Sequence, residues 1–143
     1  MNQGLRPKAV KVLLVDDDAL IIELLRNTMQ AIGVDIILTA TDSKVALELF
    51  ERKKPDIVFT DYIMPEFDGV ELLKAIKKLD NKVPVVLFTG YFDQLLIRDL
   101  FKGDVKPEHV LQKPFLSFEN IVEILRKHFP DNKFKDLQGR VGI

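Results

Sequence analysis

The sequence predicts a doubly wound α/β fold, a parallel sheet covered by helices on both faces. Two observations carry this. Short apolar runs alternate five times with stretches of helical periodicity, the pattern of repeated strand-helix units. The runs are also apolar throughout rather than at every second residue, which demands burial on both faces and so a covered parallel sheet.

The first run, Val10 to Val15, reads as a buried strand, and after it Ile21, Leu25, Met29 and Ile32 recur at helical spacing from Ala19 to Ile32. Gly33 follows where a left-handed C-terminal cap is wanted. Val34 to Leu38 reads as a second strand, and Val45, Ala46, Leu49 and Phe50 as the buried stripe of a second helix that Pro55 stops. Ile57, Val58 and Phe59 form a third run ending at Thr60 and Asp61, with Val70, Leu73 and Ile76 marking a third helix from near Gly69. Val83 to Phe88 is the fourth strand, closed by Thr89 and Gly90, and Phe92, Leu95, Leu96 and Leu100 suggest a fourth helix. His109 to Gln112 is a short fifth strand, and Phe118, Ile121, Leu125 and Phe129 mark a fifth helix. Residues 10–129 are thus expected to form one domain, with 1–9 as an N-terminal tail and 130–143 as a C-terminal tail or linker stub. Phe92, Phe118 and Phe129 are expected in the core, and His109 and His128 at the surface or in a strand, without metal-ligand company.

Composition narrows the function classes. The chain has 143 residues, enough for one sizeable core, and a formal charge of -1 from 21 basic and 22 acidic residues. Such balance supplies no overall basic field for nucleic acid or an anionic membrane. Cysteine is absent, which excludes disulfides and thiolate chemistry and fits a reducing compartment. Neither a signal peptide nor an apolar run long enough to span a bilayer is present in the sequence. A cytoplasmic protein without direct nucleic-acid or membrane contact is the expectation.

In open parallel sheets, ligands bind beyond the carboxyl ends of the strands, and those ends are polar here. The first strand runs into Asp16, Asp17 and Asp18, the third ends in Asp61, the fourth in Thr89, and the fifth leads to Lys113 and Pro114. Carboxylates gathered at one edge repel unless a divalent cation neutralises them, and a small set of hard oxygen ligands suits Mg²⁺. Asp17 and Asp61 are the expected direct ligands, with Asp16 acting through water and Asp18 capping the first helix. A carboxylate can also attack phosphorus, a reaction that needs in-line positioning and neutralised phosphoryl oxygens. Lys113 and Thr89 would meet two of those oxygens and Mg²⁺ the third. Taken singly, each feature has an ordinary structural reading: acids at a helix start, turn residues in Asp61 to Gly69, a strand end at Thr89, a solvated loop at Lys113. Only their coincidence at one edge lifts them above it.

The strings VLLVDDD, FTDYIMPEFDG, VVLFTG and LQKPF, in order from about Lys11 to His128, resemble the receiver domains of response regulators. The resemblance implies a flavodoxin-like five-stranded parallel sheet of order 2-1-3-4-5 with five helices. It assigns the acidic pair to Asp16 and Asp17, the phosphoacceptor to Asp61, a metal-binding carbonyl to Ile63, the switch hydroxyl to Thr89 and the lysine to Lys113. It further implies Mg²⁺, a sensor histidine kinase or histidine phosphotransfer protein as donor, an output protein or domain, and dimerisation as one outcome of phosphorylation. Such a domain is not an enzyme beyond its own phosphorylation and dephosphorylation.

The chain departs from that family at Val110, where an aromatic is usual three residues before the lysine. The approach FKGDVKPEHVLQKPF also looks longer than the usual one. Two rival readings follow from the residues. VLLVDDDAL also resembles the first motif of haloacid dehalogenase-like phosphatases, with Asp16 as nucleophile and Asp18 as acid. Alternatively, Val110 fits a pseudo-receiver, an interaction module that phosphorylation no longer switches. The receiver resemblance also places bulky Ile63 and Tyr91 where they would obstruct water attack on an acyl phosphate. Ile63→Asn and Tyr91→Glu variants are therefore expected to lose phosphate from Asp61 faster than the parent, as followed by intact mass over time.

Overall fold

The computed structural model describes residues 8–62, 69–89, 103, 105–112 and 118–136. Within them the chain runs β1 (Lys11–Val15), α1 (Ala19–Ile32), β2 (Ile36–Ala40), α2 (Ser43–Lys53), β3 (Ile57–Asp61), α3 (Gly69–Leu79), β4 (Val85–Thr89), β5 (His109–Gln112) and α4 (Phe118–His128). The helix expected over Phe92 to Leu100 lies outside the described residues, so α4 is the helix that the sequence reading counts fifth.

All five strands pair in parallel in the order β2-β1-β3-β4-β5, the expected doubly wound topology. Alternation of side chains along the strands then builds two cores. On one face Val12, Leu14, Phe59, Val86 and Phe88 pack with α1 and α4. On the other Leu13, Val15, Val58, Val85 and Leu87 pack with α2 and α3. Among the described residues, no helix is long and apolar enough to cross a membrane.

Helix ends are set by short-range chemistry. Asp18 caps α1, its carboxylate accepting from the Leu20 N–H at 2.9 Å, and Asp42 caps α2 by accepting from Val45 N–H at 2.8 Å. At the other end of α1, Gly33 takes φ 106°, its N–H reaches Gln30 O, and the Val34 N–H reaches Met29 O at 2.9 Å. This double closure draws Val34 down onto Met29, both buried, as the motif's apolar contact requires. Val34 therefore belongs to the cap, and β2 begins at Ile36 rather than at Val34. In α2 the buried residues are Ser43, Ala46 and Phe50, while Val45, expected in the stripe, is 42% exposed.

The segment after α4 folds back onto α1. Phe134 is 2% exposed and joins the α1–α4 core, Lys135 N–H donates to Ile32 O at 2.8 Å, and the Arg126 guanidinium donates to Phe134 O at 2.6 Å. Phe118 and Phe129 are partly buried against the same core, as expected, and Phe92 lies outside the described residues. Removing the Phe134 ring would leave a cavity that the flanking helices cannot close. Phe134→Ala is expected to lower stability by about 3–5 kcal/mol, seen as a fall in the urea midpoint with unchanged slope.

Candidate phosphoacceptor and metal site

The site is built by strand register. Val15 of β1 pairs with Thr60 of β3, Asp61 pairs with Phe88, and Thr89 pairs with Gln112. One step beyond the Val15–Thr60 pair therefore stand Asp16, just past β1, and Asp61, the last residue of the central strand β3. Asp16 is fully buried and Asp61 is 7% exposed, whereas Asp17 is exposed. Carboxylate oxygens of Asp16, Asp17 and Asp61 lie within 4.8 Å of one another. Asp16 is held by its own turn, its Oδ1 accepting from the Asp18 N–H at 2.8 Å.

Repulsion between two buried carboxylates this close is roughly 3–4 kcal/mol at an effective dielectric near 20. A divalent cation removes it. Oxygens around Mg²⁺ lie about 2.1 Å from the ion, hence up to about 4.2 Å from each other. Three oxygens within 4.8 Å meet that geometry with small side-chain adjustments, and an all-oxygen donor set is what a hard cation prefers. Asp18, already spent on capping α1, takes no part.

Thr89 ends β4 beside Asp61 and is 7% exposed. It closes β4 at the same sheet edge as the three acids. Ile63, Tyr91 and Lys113 lie outside the described residues; Lys113 directly follows Gln112, which pairs with Thr89. Val110, the departure at the expected aromatic, pairs with Leu87 and packs half-buried against the α2–α3 core. Its neighbour His109 points to the opposite face, as strand alternation predicts.

One contributor was not legible in the sequence as part of the site. Gly69 opens α3 against the Asp61–Tyr62 backbone: its N–H donates to Tyr62 O at 2.9 Å, and Tyr62 N–H in turn donates to Phe88 O at 2.8 Å. A Cβ at position 69 would run into the carbonyl oxygen of Asp61 and stand 3.0 Å from Asp61 C and Tyr62 Cα. The turn signal of Asp68-Gly69 was readable, but not this backbone contact. Gly69 is required for proximity and allows α3 to brace the strand end that carries Asp61.

His109 stands in β5 and both histidines are part-exposed, as expected, but they also meet: His109 Nε2 and His128 Nε2 lie 2.9 Å apart, with rings at 84°. Strand and helix bring together residues that are 19 apart in sequence, which no local pattern could signal.

Comparison with known proteins agrees with this geometry. The chain matches the family model of the response regulator receiver domain over residues 12–126. It is 31% identical over 117 residues to the chemotaxis protein CheY of Thermotoga maritima, covering 82% of this chain and 95% of that one. It is 36% identical over 106 residues to the probable transcriptional regulator ycf27 of Guillardia theta, covering 73% of this chain but only 40% of that protein. Among solved structures, the receiver domain of Francisella response regulator 1452 superposes with a TM-score of 0.73 at 29% identity, covering 85% of this chain and 97% of that one.

Gly69→Ala is expected to push the Asp61 backbone away from Asp16. It should cost about 1–3 kcal/mol of stability as an overpacking change and weaken divalent-metal binding, measured by urea unfolding and by Mg²⁺ titration.

Proposed function

The chain belongs to the response regulator receiver family, and from that premise we propose that Asp61 accepts a phosphoryl group in a reaction that needs Mg²⁺. The observation that carries this reading is the placement of Asp61 at the end of the central strand β3, its carboxylate within 4.8 Å of those of Asp16 and Asp17. Receiver domains of response regulators work with histidine kinases or phosphotransfer proteins, and a phosphohistidine on such a partner is the proposed donor.

Asp61 would attack phosphorus with one carboxylate oxygen while the bond to the donor nitrogen breaks in line with it. Asp16 and Asp17, with Asp61, would hold Mg²⁺ and the Ile63 carbonyl would complete the protein's share. The ion supplies charge neutralisation for the phosphoryl oxygens and the carboxylates together. Thr89 would donate its hydroxyl to one phosphoryl oxygen and Lys113 its ammonium to another. Leu20 and Leu24, one helical turn apart on α1 and 77% and 56% exposed, offer a donor protein an apolar contact beside the acids. Output by binding or dimerisation follows from the charge added at Asp61, which draws Thr89 and Lys113 inward and shifts an existing equilibrium of the neighbouring loops. The proposed unit is 10–129, with 130–136 packed onto it, and cytoplasmic residence beside its donor is part of the same reading. Family membership speaks for the receiver and not for a dehalogenase-like phosphatase using Asp16.

Incubation with phosphoramidate and Mg²⁺ followed by intact mass measurement tests the reading. Wild type is expected to gain one phosphoryl group and Asp61→Asn none, with chelation of Mg²⁺ also abolishing the gain. Labelling that survives in Asp61→Asn and disappears in Asp16→Asn would transfer the nucleophile to Asp16.

A further inference from the structure

Far from the carboxylates, at the amino end of the edge strand, His109 of β5 and His128 at the close of α4 meet nitrogen to nitrogen. Their Nε2 atoms are 2.9 Å apart and their ring centroids 5.1 Å apart. The centroids are thus 2.2 Å further apart than the nitrogens, which is about twice the distance from an imidazole centre to its own nitrogen. Both Nε2 atoms therefore lie close to the line joining the rings and aim at one another. A metal on that line would sit about 2.0–2.1 Å from each nitrogen and force them about 4 Å apart. The separation is instead that of one N–H···N hydrogen bond. Only one of the facing nitrogens can carry a hydrogen if the bond is to form.

We propose that His109 and His128 form a proton-operated latch between β5 and α4, closed on one hydrogen shared by the two facing nitrogens and opened when the second nitrogen is protonated. Opening would loosen α4 from the amino end of the strand that leads to Lys113, which Glu108 still fastens to Val85 and Lys77, so that acidification alters the β5–α4 face independently of phosphate on Asp61. This goes beyond the phosphoacceptor reading and uses none of its residues.

The charges around the pair favour opening on a second proton. Lys127 of α4 faces both rings, and Lys77 of α3 faces His128. Glu108, just ahead of β5, faces both rings, but its carboxylate is engaged by Lys77 and by the Val85 N–H at 2.7 Å. Glu123 shares the groove beside His109, and Lys8, Glu51, Lys54, Asp56, Asp80 and Lys82 line the groove beside His128. Burial, first, and the neighbouring positive charges hold both imidazoles below the ordinary histidine value of 6.5. The folded chain therefore binds fewer protons than the unfolded one as pH falls through 6.5. Stability from the closed latch is full above that pH and is lost below it.

The chain contains two histidines, so ¹⁵N-histidine labelling of the full chain reports on the latch alone. Titration across roughly pH 8 to 5 is expected to show two coupled steps belonging to the pair, the second displaced below the ordinary histidine range. Backbone amides of His109 to Gln112 and of the last turn of α4 should shift with that second step, and their hydrogen exchange should rise about tenfold for each unit of displacement. His109→Gln keeps a group able to hydrogen-bond but unable to titrate. In that variant His128 should titrate in a single step and the amide changes should vanish, while labelling of Asp61 at neutral pH stays at the wild-type level. Independent single-step titration of both histidines in wild type, or the same amide changes in His109→Gln, would overturn the latch. Failure of Asp61 labelling leaves the histidine titration fully readable, so the two proposals fall separately.

Discussion

The arrangement depends on β3, a strand buried along its whole length that ends in a carboxylate. Ile57 to Asp61 lie between β1 and β4 with every residue buried. A charge in such a place is costly without compensation, and the nearest group across the strand gap is another acid, Asp16, fully buried. The pair raises its own electrostatic cost, which a cation held by the cluster would lower. The gathering of the acids is thus a consequence of where β3 stops. The close seat of α3 is tied to the same point, since its first residue rests against the Asp61 carbonyl and only glycine fits there.

Registration of that strand is enforced from both faces. Phe59 belongs to the α1–α4 core and Val58 to the α2–α3 core. A slip of one residue would exchange them and carry the Asp61 carboxylate about 3.3 Å along the sheet and to its other side. Shape mismatch in two cores resists such a slip. The precision of the site is therefore supplied by apolar residues that touch no ligand, Phe59 and Phe88 above the sheet and Leu13 and Leu87 below it.

Much of this was legible because the signals were local. The span of α1 followed from its apolar period and from Asp18 and Gly33 at its ends, and β5 from its apolar centre between polar flanks. Where reading and structure part, the deciding contact is between residues that local pattern does not connect. Val34 looked like a strand residue because it is apolar and β-branched, yet the cap after Gly33 claims it for Met29. Val45 looked like part of a buried stripe, but the sheet receives the face that carries Ala46 and Phe50. Phe134 sits among Pro, Asp, Asn and Lys, a composition that reads as tail, and only the return of the chain onto Ile32 gives the ring its pocket. The acids of the site were readable for a different reason: Asp61 closes β3 and Asp16 and Asp17 come straight after β1, and the topology of a parallel sheet brings strand ends together without further information.

The two ends of the sheet then play unequal parts for β5. Its partner in the sheet is β4, and it has only four residues, about 13 Å of chain. Its amino end is fastened three times over. Glu108 N–H donates to Val85 O at 3.0 Å, the Glu108 carboxylate accepts from Val85 N–H and from Lys77, and His109 meets His128. Its carboxyl end, which pairs Gln112 with Thr89 and leads to Lys113, carries the half-exposed Val110 and Leu111. Under the proposed phosphorylation, a pull on Lys113 from a charge at Asp61 would meet a strand anchored at its far end, and the response open to it would be a tilt about Glu108 and His109 rather than a slide along β4. In a chain with Val110 where an aromatic is usual, that tilt would offer a route from Asp61 to the β5–α4 face, and the stiffness of its pivot would set how much of the pull is transmitted.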